Sequence, residues 1–195
     1  RKALAHIGTE VWTPAEPPEL ARASGVIVPG VGHFDSTAAL DAPWRDAIHA
    51  ALARSVPLLG ICVGLQWLFE GSTEAPGVAG LGVIAGTCTR LGDDPDSRLP
   101  TPDSRRHALK VPHVGWNSLS FPRPTRLFDG IPDGTQVYFT HSYAAPVVPA
   151  TAAITTYGVP FSAAVEEGLV SGVQFHPEKS GDAGLRILSN WLENV

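Results

Sequence analysis

The abrupt change of hydrophobic pattern at Cys62 restricts the fold of this chain more than any other feature of its sequence. Residues 57–61 form a short apolar run that is typical of a buried strand, whereas the apolar residues of 65–69 repeat at helical spacing. The backbone must therefore turn from strand to helix at Cys62. Gly60 and Gly64 flank the cysteine, and such small neighbours allow a strained turn that exposes a nucleophile.

Two interpretations of Cys62 follow from this turn. In the first, its sulfur points outward at a helix N-terminus, where unsatisfied N–H groups and the helix dipole favour thiolate over thiol. In the second, Cys62 is a buried structural residue, because free cysteine is among the most buried residue types. The turn alone leaves both interpretations open.

A second motif, His176-Pro-Glu178, favours the catalytic interpretation. If the residues around it form a strand, His176 and Glu178 project from the same face, because side chains alternate along a strand. A base and the carboxylate that orients it then face one cysteine together. Pro177 has no amide to donate, which suits the end of a strand. The sequence therefore predicts a catalytic triad of Cys62, His176 and Glu178.

The composition argues against several other classes of function. With 195 residues, of which 44% are hydrophobic and 17% charged, the chain suits one compact domain. Its net charge of −5 gives no sign of nucleic-acid binding, and no apolar run approaches the length of a membrane span. Cys62 and Cys88 lack the spacing of a disulfide framework or a zinc site. We expect a soluble, cytoplasmic protein with no signal peptide, metal site or cofactor.

The order of the predicted elements indicates an α/β fold. Strand and helix signals alternate up to Glu70, which predicts a parallel sheet covered by helices, with functional loops at the carboxyl ends of the strands. In this half we expect helices at 1–8 and 41–54, strands at 10–13, 25–29 and 57–61, and a glycine-rich loop at 29–34. The second half predicts antiparallel additions at 83–91, 118–121, 136–140, 152–157, 161–166 and 169–175, and a final helix at 181–192.

Two stretches stand apart from this pattern. Residues 92–107 are polar, rich in Pro, Asp and Arg, and without periodicity, so we expect a mobile surface loop there. Residues 1–8 resemble the last turns of a helix that ends at a glycine cap. We therefore expect that further residues precede Arg1.

The glycine-flanked cysteine and the His-Pro-Glu motif together resemble those of the class I glutamine amidotransferases, which hydrolyse glutamine and pass the ammonia to a synthase. More narrowly, the chain resembles the glutaminase subunits of imidazole glycerol phosphate synthases, from histidine biosynthesis. The resemblance spans nearly the whole chain and rests on five motifs: Pro29-Gly-Val-Gly-His-Phe34, Gly60-Ile-Cys-Val-Gly-Leu-Gln66, Pro112-His-Val-Gly-Trp-Asn117, Tyr138-Phe-Thr-His-Ser-Tyr143 and Gln174-Phe-His-Pro-Glu-Lys-Ser180.

This resemblance implies a flavodoxin-like α/β fold, with a central, mostly parallel sheet, helices on both faces and added antiparallel strands. It implies that residues 1–195 form a single domain of this class. The family opens with a strand and a motif like Asp-Tyr-Gly-x-Gly-Asn, which this sequence lacks. We therefore expect a domain without the family's first strand, whose loss would leave apolar faces and backbone groups uncovered.

The implied chemistry is glutamine hydrolysis through a thioester on Cys62. His176 would protonate the leaving ammonia and later activate water, while Glu178 orients His176. The tetrahedral oxyanion would be held by backbone N–H groups after the nucleophile and in the glycine-rich loop, at Val63, Gly30, Val31 and Gly32. The resemblance also implies that partner binding switches the orientation of this loop.

Two further groups of residues are carried over from the resemblance. Glutamine's amino and carboxylate ends would be held by Gln66, His141, Ser142 and Tyr143. At the subunit interface, the aromatic pair Trp116 and Tyr138 and the cation Lys179 would gate the passage of ammonia. The alternatives are satisfied surface polar groups for the first set, and core packing or a solvated tail for the second.

The implied partner is a phosphate-binding (β/α)₈ cyclase, which would form a heterodimer with this chain and use the ammonia. Two alternatives stay open at this stage. The chain could be the glutaminase of another synthase, in the pyridoxal phosphate or GMP pathways, or an inactive scaffold subunit. The Pro-Gly-Val-Gly and His-Val-Gly-Trp-Asn motifs weigh against the first alternative, and the intact triad weighs against the second.

Overall fold

The computed structural model describes residues 1–93, 109–193 and 195, so most of the loop predicted at 92–107 lies outside the described residues. The α-helices of the described part are α1 (Lys2–His6), α2 (Ala42–Ala53), α3 (Val63–Leu68) and α4 (Gly181–Leu192). Its strands are β1 (Val26–Gly30), β2 (Leu58–Cys62), β3 (Gly71–Ser72), β4 (Thr87–Arg90), β5 (His113–Ser118), β6 (Gln136–His141), β7 (Tyr143–Ala144), β8 (Thr151–Tyr157), β9 (Val159–Glu167) and β10 (Val170–Val173). Short 3₁₀ helices lie at Pro17–Arg22, Phe34–Ala39, Arg126–Phe128 and Pro177–Lys179.

A five-stranded sheet with the order β1-β2-β10-β9-β8 forms the centre of the fold. β2 pairs in parallel with β1 on one side and with β10 on the other, whereas β10, β9 and β8 pair antiparallel. The register places Gly30 beside Cys62 and Ile61 beside Val173. The carboxyl ends of three strands that are distant in sequence therefore meet at one end of the sheet, where sites of open α/β sheets form.

Both faces of the central sheet bury apolar side chains, because side chains alternate along its strands. Leu58 packs into a core that includes Ile48 of α2 and Leu65 of α3. The next residue, Leu59, packs into a second core with Ile187 of α4. Helices therefore cover both faces. The predicted α/β class is confirmed, with a sheet that mixes parallel and antiparallel pairs.

Two smaller sheets are added by the second half of the chain. β3, β4 and β7 form one of them, and β5 and β6 form an antiparallel pair. The register of that pair sets His113 opposite His141 and Trp116 opposite Tyr138. The β5–β6 pair thus carries a buried histidine pair at one end and an aromatic pair further along.

Three predicted strands differ from the structure. Residues 10–13 are irregular and have no strand partner among the described residues. The strand expected at 83–91 is shortened to β4. The strand expected at 118–121 is reduced to a single bridge at Ser120, because the true strand lies earlier, at β5. Gly115 in β5 has a φ of 135°, so glycine interrupts the alternation by which a strand is recognised in a sequence.

The described residues have three further features that bear on function. None of their helices is both long enough and apolar enough to cross a membrane. No cluster of three or more His, Cys, Asp or Glu side chains is arranged among them to hold a metal ion. Cys62 and Cys88 are both free thiols, and both are buried.

Candidate active site

The strand-to-helix turn predicted at Cys62 is present, with β2 ending at Cys62 and α3 beginning at Val63. Cys62 has a φ of 56° and a ψ of −110°, a strained backbone conformation for a residue with a side chain. A Cβ added to Gly64 would lie 1.9 Å from the Val28 carbonyl oxygen, and one added to Gly60 would lie 2.5 Å from the Gly64 carbonyl oxygen. Contact between backbone segments therefore holds the turn in its strained shape.

Cys62 lies in the wall of a cavity of about 390 Å³. Only 4% of the residue is exposed, so the expectation that its sulfur points outward was wrong: the turn directs it into a sheltered cavity. A larger cavity of about 500 Å³ is lined mainly by β1 and by residues 9–14 and 22–25 before it, with Trp191 and Leu192 from α4, and by none of the predicted triad. The smaller cavity is also lined by Val63, Gln66, His141, His176 and Lys179.

His176 and Glu178 lie together, although not on a strand. β10 ends at Val173, and His176 precedes the 3₁₀ helix Pro177–Lys179. His176 Nδ1 lies 2.9 Å from Glu178 Oε1. The predicted contact is therefore present, but strand alternation was the wrong reason for it, because the turn of the 3₁₀ helix brings the carboxylate back to the imidazole.

The surroundings of His176 favour its protonated form. Its pKa is raised to about 9, first by the interaction with the Cys62 side chain and then by the hydrogen bond with Glu178, while burial lowers it. The same hydrogen bond lowers the pKa of Glu178. His176 Nε2 is buried and makes no hydrogen bond of ordinary geometry with the described residues, so its contact with Cys62 is loose, as is common in active sites without substrate.

The glycine-rich loop follows β1 and lies beside the turn at Cys62. Gly30 is the register partner of Cys62, and a Cβ on Gly30 would lie 2.7 Å from the Val63 Cβ. Gly32 has a φ of 97°, which favours glycine. Val31 is 77% exposed and lines the cavity together with Gly32. The four residues predicted for the oxyanion hole are therefore next to Cys62.

Gln66 is buried in α3 and joins the two halves of the chain. Its Nε2 donates to the Tyr143 carbonyl oxygen at 2.9 Å and to Gln174 Oε1 at 3.0 Å. Gln174 Nε2 in turn donates to Cys62 Sγ at 3.6 Å. Gln66 Oε1 is buried and has no partner among the described residues. Gln174 was not predicted as a site residue, although it lies two residues before His176 in the His-Pro-Glu motif.

His141 lines the cavity with both of its ring nitrogens engaged. Nδ1 lies 2.8 Å from the Tyr143 carbonyl oxygen, and Nε2 lies 3.1 Å from His113 Nδ1. Burial lowers the pKa of His141 to about 3 and that of His113 to about 4. His141 is therefore a neutral part of the wall whose ring atoms are already bonded. His113 was missed, because only the β5–β6 register brings it to His141.

Ser142 and Tyr143, predicted as substrate-holding residues, also line the cavity. The structure adds Glu74, which lines the same cavity and accepts the Phe34 backbone N–H at 2.8 Å. Phe34 ends the glycine-rich motif, so this hydrogen bond holds the end of the loop in place. Glu74 also adds a carboxylate to the lining of the cavity. No pattern in the sequence connects Glu74 with Cys62, so Glu74 was not among the predicted site residues.

The residues predicted for the subunit interface lie together next to the cavity. Lys179 lines the cavity, and its Nζ lies 5.6 Å from the centre of the Tyr138 ring. Trp116 is 56% exposed, and its ring packs edge-on against Tyr138, with ring centres 6.0 Å apart. Ser180 links this cluster to the triad, because its Oγ accepts the Tyr138 N–H at 3.0 Å and donates to the His176 carbonyl oxygen at 2.7 Å.

The sequence of this chain is similar to those of known proteins over nearly its whole length. Residues 4–195 match the family described as Glutamine amidotransferase class-I. Imidazole glycerol phosphate synthase subunit HisH of Moorella thermoacetica is 44% identical over 201 residues, which cover 100% of this chain and 88% of that protein. The subunit with the same name from Deinococcus radiodurans is 41% identical over 200 residues, which cover 100% of this chain and 86% of that protein.

Solved structures share the fold. A crystal structure of a glutamine amidotransferase aligns with a TM-score of 0.70 at 19% identity, covering 99% of this chain and 90% of that one. The glutaminase domain of Trypanosoma brucei CTPS aligns with a TM-score of 0.59 at 14% identity, covering 98% of this chain and 84% of that one. At these identities the solved structures show a shared fold only, whereas the match over residues 4–195 shows the family. The chain belongs to the class-I glutamine amidotransferase family.

Proposed function

We infer that this chain is the glutaminase subunit of an imidazole glycerol phosphate synthase and hydrolyses glutamine to glutamate and ammonia in histidine biosynthesis. The observation that carries this inference is the similarity to HisH subunits over the full chain, at 44% identity in one case. The cavity supports it, because Cys62 and His176 both line it and Glu178 is bonded to His176. A nucleophile, a base and an orienting carboxylate are what thioester chemistry requires.

The first half-reaction is attack of the Cys62 thiolate on the side-chain amide carbon of glutamine. The raised pKa of His176 keeps a proton on its imidazole near neutral pH, and that proton goes to the departing nitrogen. The S–C bond forms, the C–N bond breaks and ammonia leaves. We assign stabilisation of the oxyanion to the N–H of Val63 and to the loop of Gly30, Val31 and Gly32.

The second half-reaction returns the enzyme to its starting state. His176, neutral after giving its proton to ammonia, takes a proton from water, and the water oxygen attacks the thioester carbon. The S–C bond breaks, Cys62 leaves as thiolate, and glutamate is released. Glu178 holds His176 at Nδ1, which keeps the ring oriented and stabilises its cation in both steps.

The cavity also offers partners for the rest of glutamine. Glu74 supplies a carboxylate for an ammonium group, and the buried Gln66 Oε1, which has no partner among the described residues, supplies an acceptor. Ser142 and Tyr143 line the same wall. We assign Gln66, Ser142 and Tyr143 to substrate binding. The ring of His141 supports the Tyr143 carbonyl in this assignment, since both of its nitrogens are bonded within the protein.

We propose that the partner is a cyclase of (β/α)₈ type that forms a heterodimer with this chain in the cytoplasm. The name shared by the relatives identifies each of them as a subunit of a synthase. Trp116 presents an exposed aromatic ring, and Tyr138 and Lys179 connect it with the cavity. A partner that covers this cluster would receive ammonia close to where Cys62 releases it.

The test is glutamate release from glutamine by the isolated chain, by the chain with the cyclase, and by both with the cyclase's ribonucleotide substrate. We expect a rate near zero for the chain alone and a strongly raised rate in the full mixture. The increase would show that binding of the partner and its substrate activates glutamine hydrolysis.

Other outcomes would separate the parts of the proposal. Equal rates in all three mixtures would retain glutamine hydrolysis but reject the gating by this partner. No glutamate in any mixture, from protein shown to be folded, would favour an inactive scaffold. Formation of a 1:1 complex on size-exclusion chromatography tests the partner separately from the chemistry.

A further inference from the structure

A backbone carbonyl fixes the orientation of the polar side chains behind the cavity. The Tyr143 carbonyl oxygen is approached by Gln66 Nε2 at 2.9 Å and by His141 Nδ1 at 2.8 Å. Because a carbonyl oxygen can only accept hydrogen bonds, both of these nitrogens must carry hydrogens. The amide orientation of Gln66 and the tautomer of neutral His141 are thereby determined.

The orientation of the Gln66 amide in turn determines which atom of Gln174 faces the Cys62 sulfur. The two Nε2 hydrogens of Gln66 are used by the Tyr143 carbonyl and by the Gln174 side chain at 3.0 Å. The Gln174 atom that meets them must be an acceptor, so it is Oε1. The amide nitrogen of Gln174 is therefore the atom that lies 3.6 Å from Cys62 Sγ, and it can only donate.

In the other direction the same carbonyl orients the histidine pair. With hydrogen on Nδ1, neutral His141 accepts at Nε2, so His113 Nδ1, 3.1 Å away, must donate. His113 Nε2 is then an acceptor for Asn117 Nδ2 at 3.4 Å. The pKa values of both histidines are lowered by burial, which keeps them neutral. One continuous network of hydrogen bonds thus joins β5 to the Cys62 sulfur, and the Tyr143 carbonyl, which accepts from both of its sides, sets the donor and acceptor in each bond.

We propose that Gln174 is a positioning residue for the nucleophile, whose side-chain N–H donates to the Cys62 sulfur and stabilises the thiolate. Gln66 and the Tyr143 carbonyl hold Gln174 in the required orientation. This inference rests on the proposed function, in which Cys62 is the nucleophile. A hydrogen bond to a charged acceptor is stronger than one to a neutral acceptor, so this donor favours thiolate over thiol.

Gln174 and His176 act on the sulfur in different ways. His176 holds a proton that it must give up during the reaction. The Gln174 amide cannot release its proton, so it stabilises the charge without entering the proton transfers. Gln174 is fully buried, which protects this N–H···S contact from competition by water. A glutamine with a packing role only would have no effect on the ionisation of Cys62.

The test uses two variants that remove the donor. Gln174→Glu keeps an oxygen for Gln66 and replaces the donor by a second oxygen, whereas Gln174→Met removes both contacts at similar volume without burying a charge. The measurement is the rate of Cys62 alkylation by iodoacetamide as a function of pH, with the modified cysteine identified by peptide mass. We expect the rate near neutral pH to fall about tenfold and its pH midpoint to move upward in both variants.

Thr155→Val is the matched control, since it also removes a side-chain hydrogen bond of a buried residue, here from the Thr155 hydroxyl to the Ser118 carbonyl at 2.9 Å. This hydrogen bond does not involve Cys62. The variant should leave the alkylation profile unchanged. Circular dichroism establishes that each variant is folded. With the cyclase complex, Gln174→Glu should lower kcat more than it raises KM, because the donor acts on the reacting sulfur.

A wild-type alkylation profile in folded Gln174→Met would overturn the proposal, whatever the activity. The proposed function has a separate readout, glutamate release by Cys62→Ser in the cyclase complex. Release at the wild-type rate would reject Cys62 as the nucleophile while leaving the alkylation result valid. The failure of either idea is thus recognisable on its own.

Discussion

The cavity has two walls that are held in different ways. The elbow wall, residues 30–32 and 60–64, is positioned by backbone that lies against backbone, with room for no more than glycine at Gly30, Gly60 and Gly64. The network wall, residues 140–143 and 174–180, is positioned by buried polar side chains that bond across large sequence separations, such as Gln66 to Gln174. The elbow wall therefore depends on glycines, which have no Cβ atom, whereas the network wall depends on hydrogen bonds between buried polar groups.

This difference determines how each wall fails. An extra methyl group in the elbow wall would clash with backbone atoms, because protein interiors are close-packed and a backbone segment cannot move aside by rotating as a side chain can. Loss of one group in the network wall leaves its partner buried and unpaired, which costs free energy but need not move the chain. We therefore expect glycine substitutions in the elbow wall to cause the largest losses of stability, and network variants to lose function or a smaller part of their stability.

The largest effect should come from Cys62, where the two walls meet. Cys62→Ala in the cyclase complex should lower kcat for glutamine hydrolysis by at least about 10⁴-fold, as removal of a nucleophile does in comparable hydrolases. Glutamate release measures this. Cys88→Ala is the matched control, because Cys88 is buried away from the cavity lining, and it should retain activity. Equal losses in both variants would contradict the assignment of the nucleophile.

The elbow wall is tested by Gly64→Ala. The added Cβ would lie 1.9 Å from the Val28 carbonyl oxygen, so β1 or α3 must shift, and we expect the free energy of unfolding to fall by about 3 kcal/mol. Urea denaturation followed by circular dichroism measures it. Gly77→Ala, where nothing lies within 4 Å, should change it by no more than about 0.5 kcal/mol. Similar values for the two variants would remove the distinction between the walls.

The elbow wall is also the part of the site that could be predicted from sequence. Its signals lie within a few residues, since Gly60, Cys62 and Gly64 meet in one turn and the change from strand to helix is local. The triad partners were found from a short motif, although the turn that joins His176 to Glu178 was taken for a strand. The α/β class followed from alternating elements in the same local way.

The network wall could not be predicted in this way, because its contacts depend on the register of distant strands. His113 meets His141 only because β5 and β6 pair, and Gln174 meets Gln66 only because β10 lies beside β2. Glu74 enters the cavity from a turn without any pattern. The strand expected at 10–13 failed for a related reason, since a propensity for strand has no effect without a neighbour to pair with.

The network wall is tested by Ser180→Ala. The Ser180 side chain is the acceptor for the partly buried Tyr138 N–H, so its loss leaves this donor unpaired and should lower the free energy of unfolding by about 1–3 kcal/mol. Urea denaturation measures it. Ser36→Ala, which removes an exposed bond to the His33 carbonyl, should cost no more than about 0.5 kcal/mol. A larger loss at Ser36 would show that burial is not the reason for the effect.

The pH dependence of stability should also separate the histidines. The pKa of folded His176 is raised from 6.5 to about 9, so its contribution is complete below about pH 6.5 and is lost as the pH rises through about 9. His113 and His141 have pKa values lowered to about 4 and 3. The unfolded chain therefore binds more protons as the pH falls below about 6.5, and stability decreases there too.

Urea denaturation across this pH range measures both limbs. His176→Asn should flatten the alkaline limb and change the acid limb less, because His176 also helps to lower the pKa values of Glu178 and His141, whereas His113→Phe should reduce the acid limb only. An unchanged alkaline limb in His176→Asn would show that another group is responsible for it. Glu178 is half exposed, so solvent screening limits the size of the His176 contribution.

The smallest effect on the isolated chain should come from Trp116, which belongs to neither wall. The residue is 56% exposed, so Trp116→Ala should change the free energy of unfolding by no more than about 0.5 kcal/mol. Exposed aromatic rings are common anchors of interfaces, and the affinity for the cyclase should therefore fall by about tenfold or more. Trp12→Ala is the matched control, since Trp12 is 39% exposed and packs on Arg22, away from Tyr138. If both variants bind the cyclase like the wild type, the cluster next to the cavity is not the docking surface, and the network wall ends at a surface exposed to solvent.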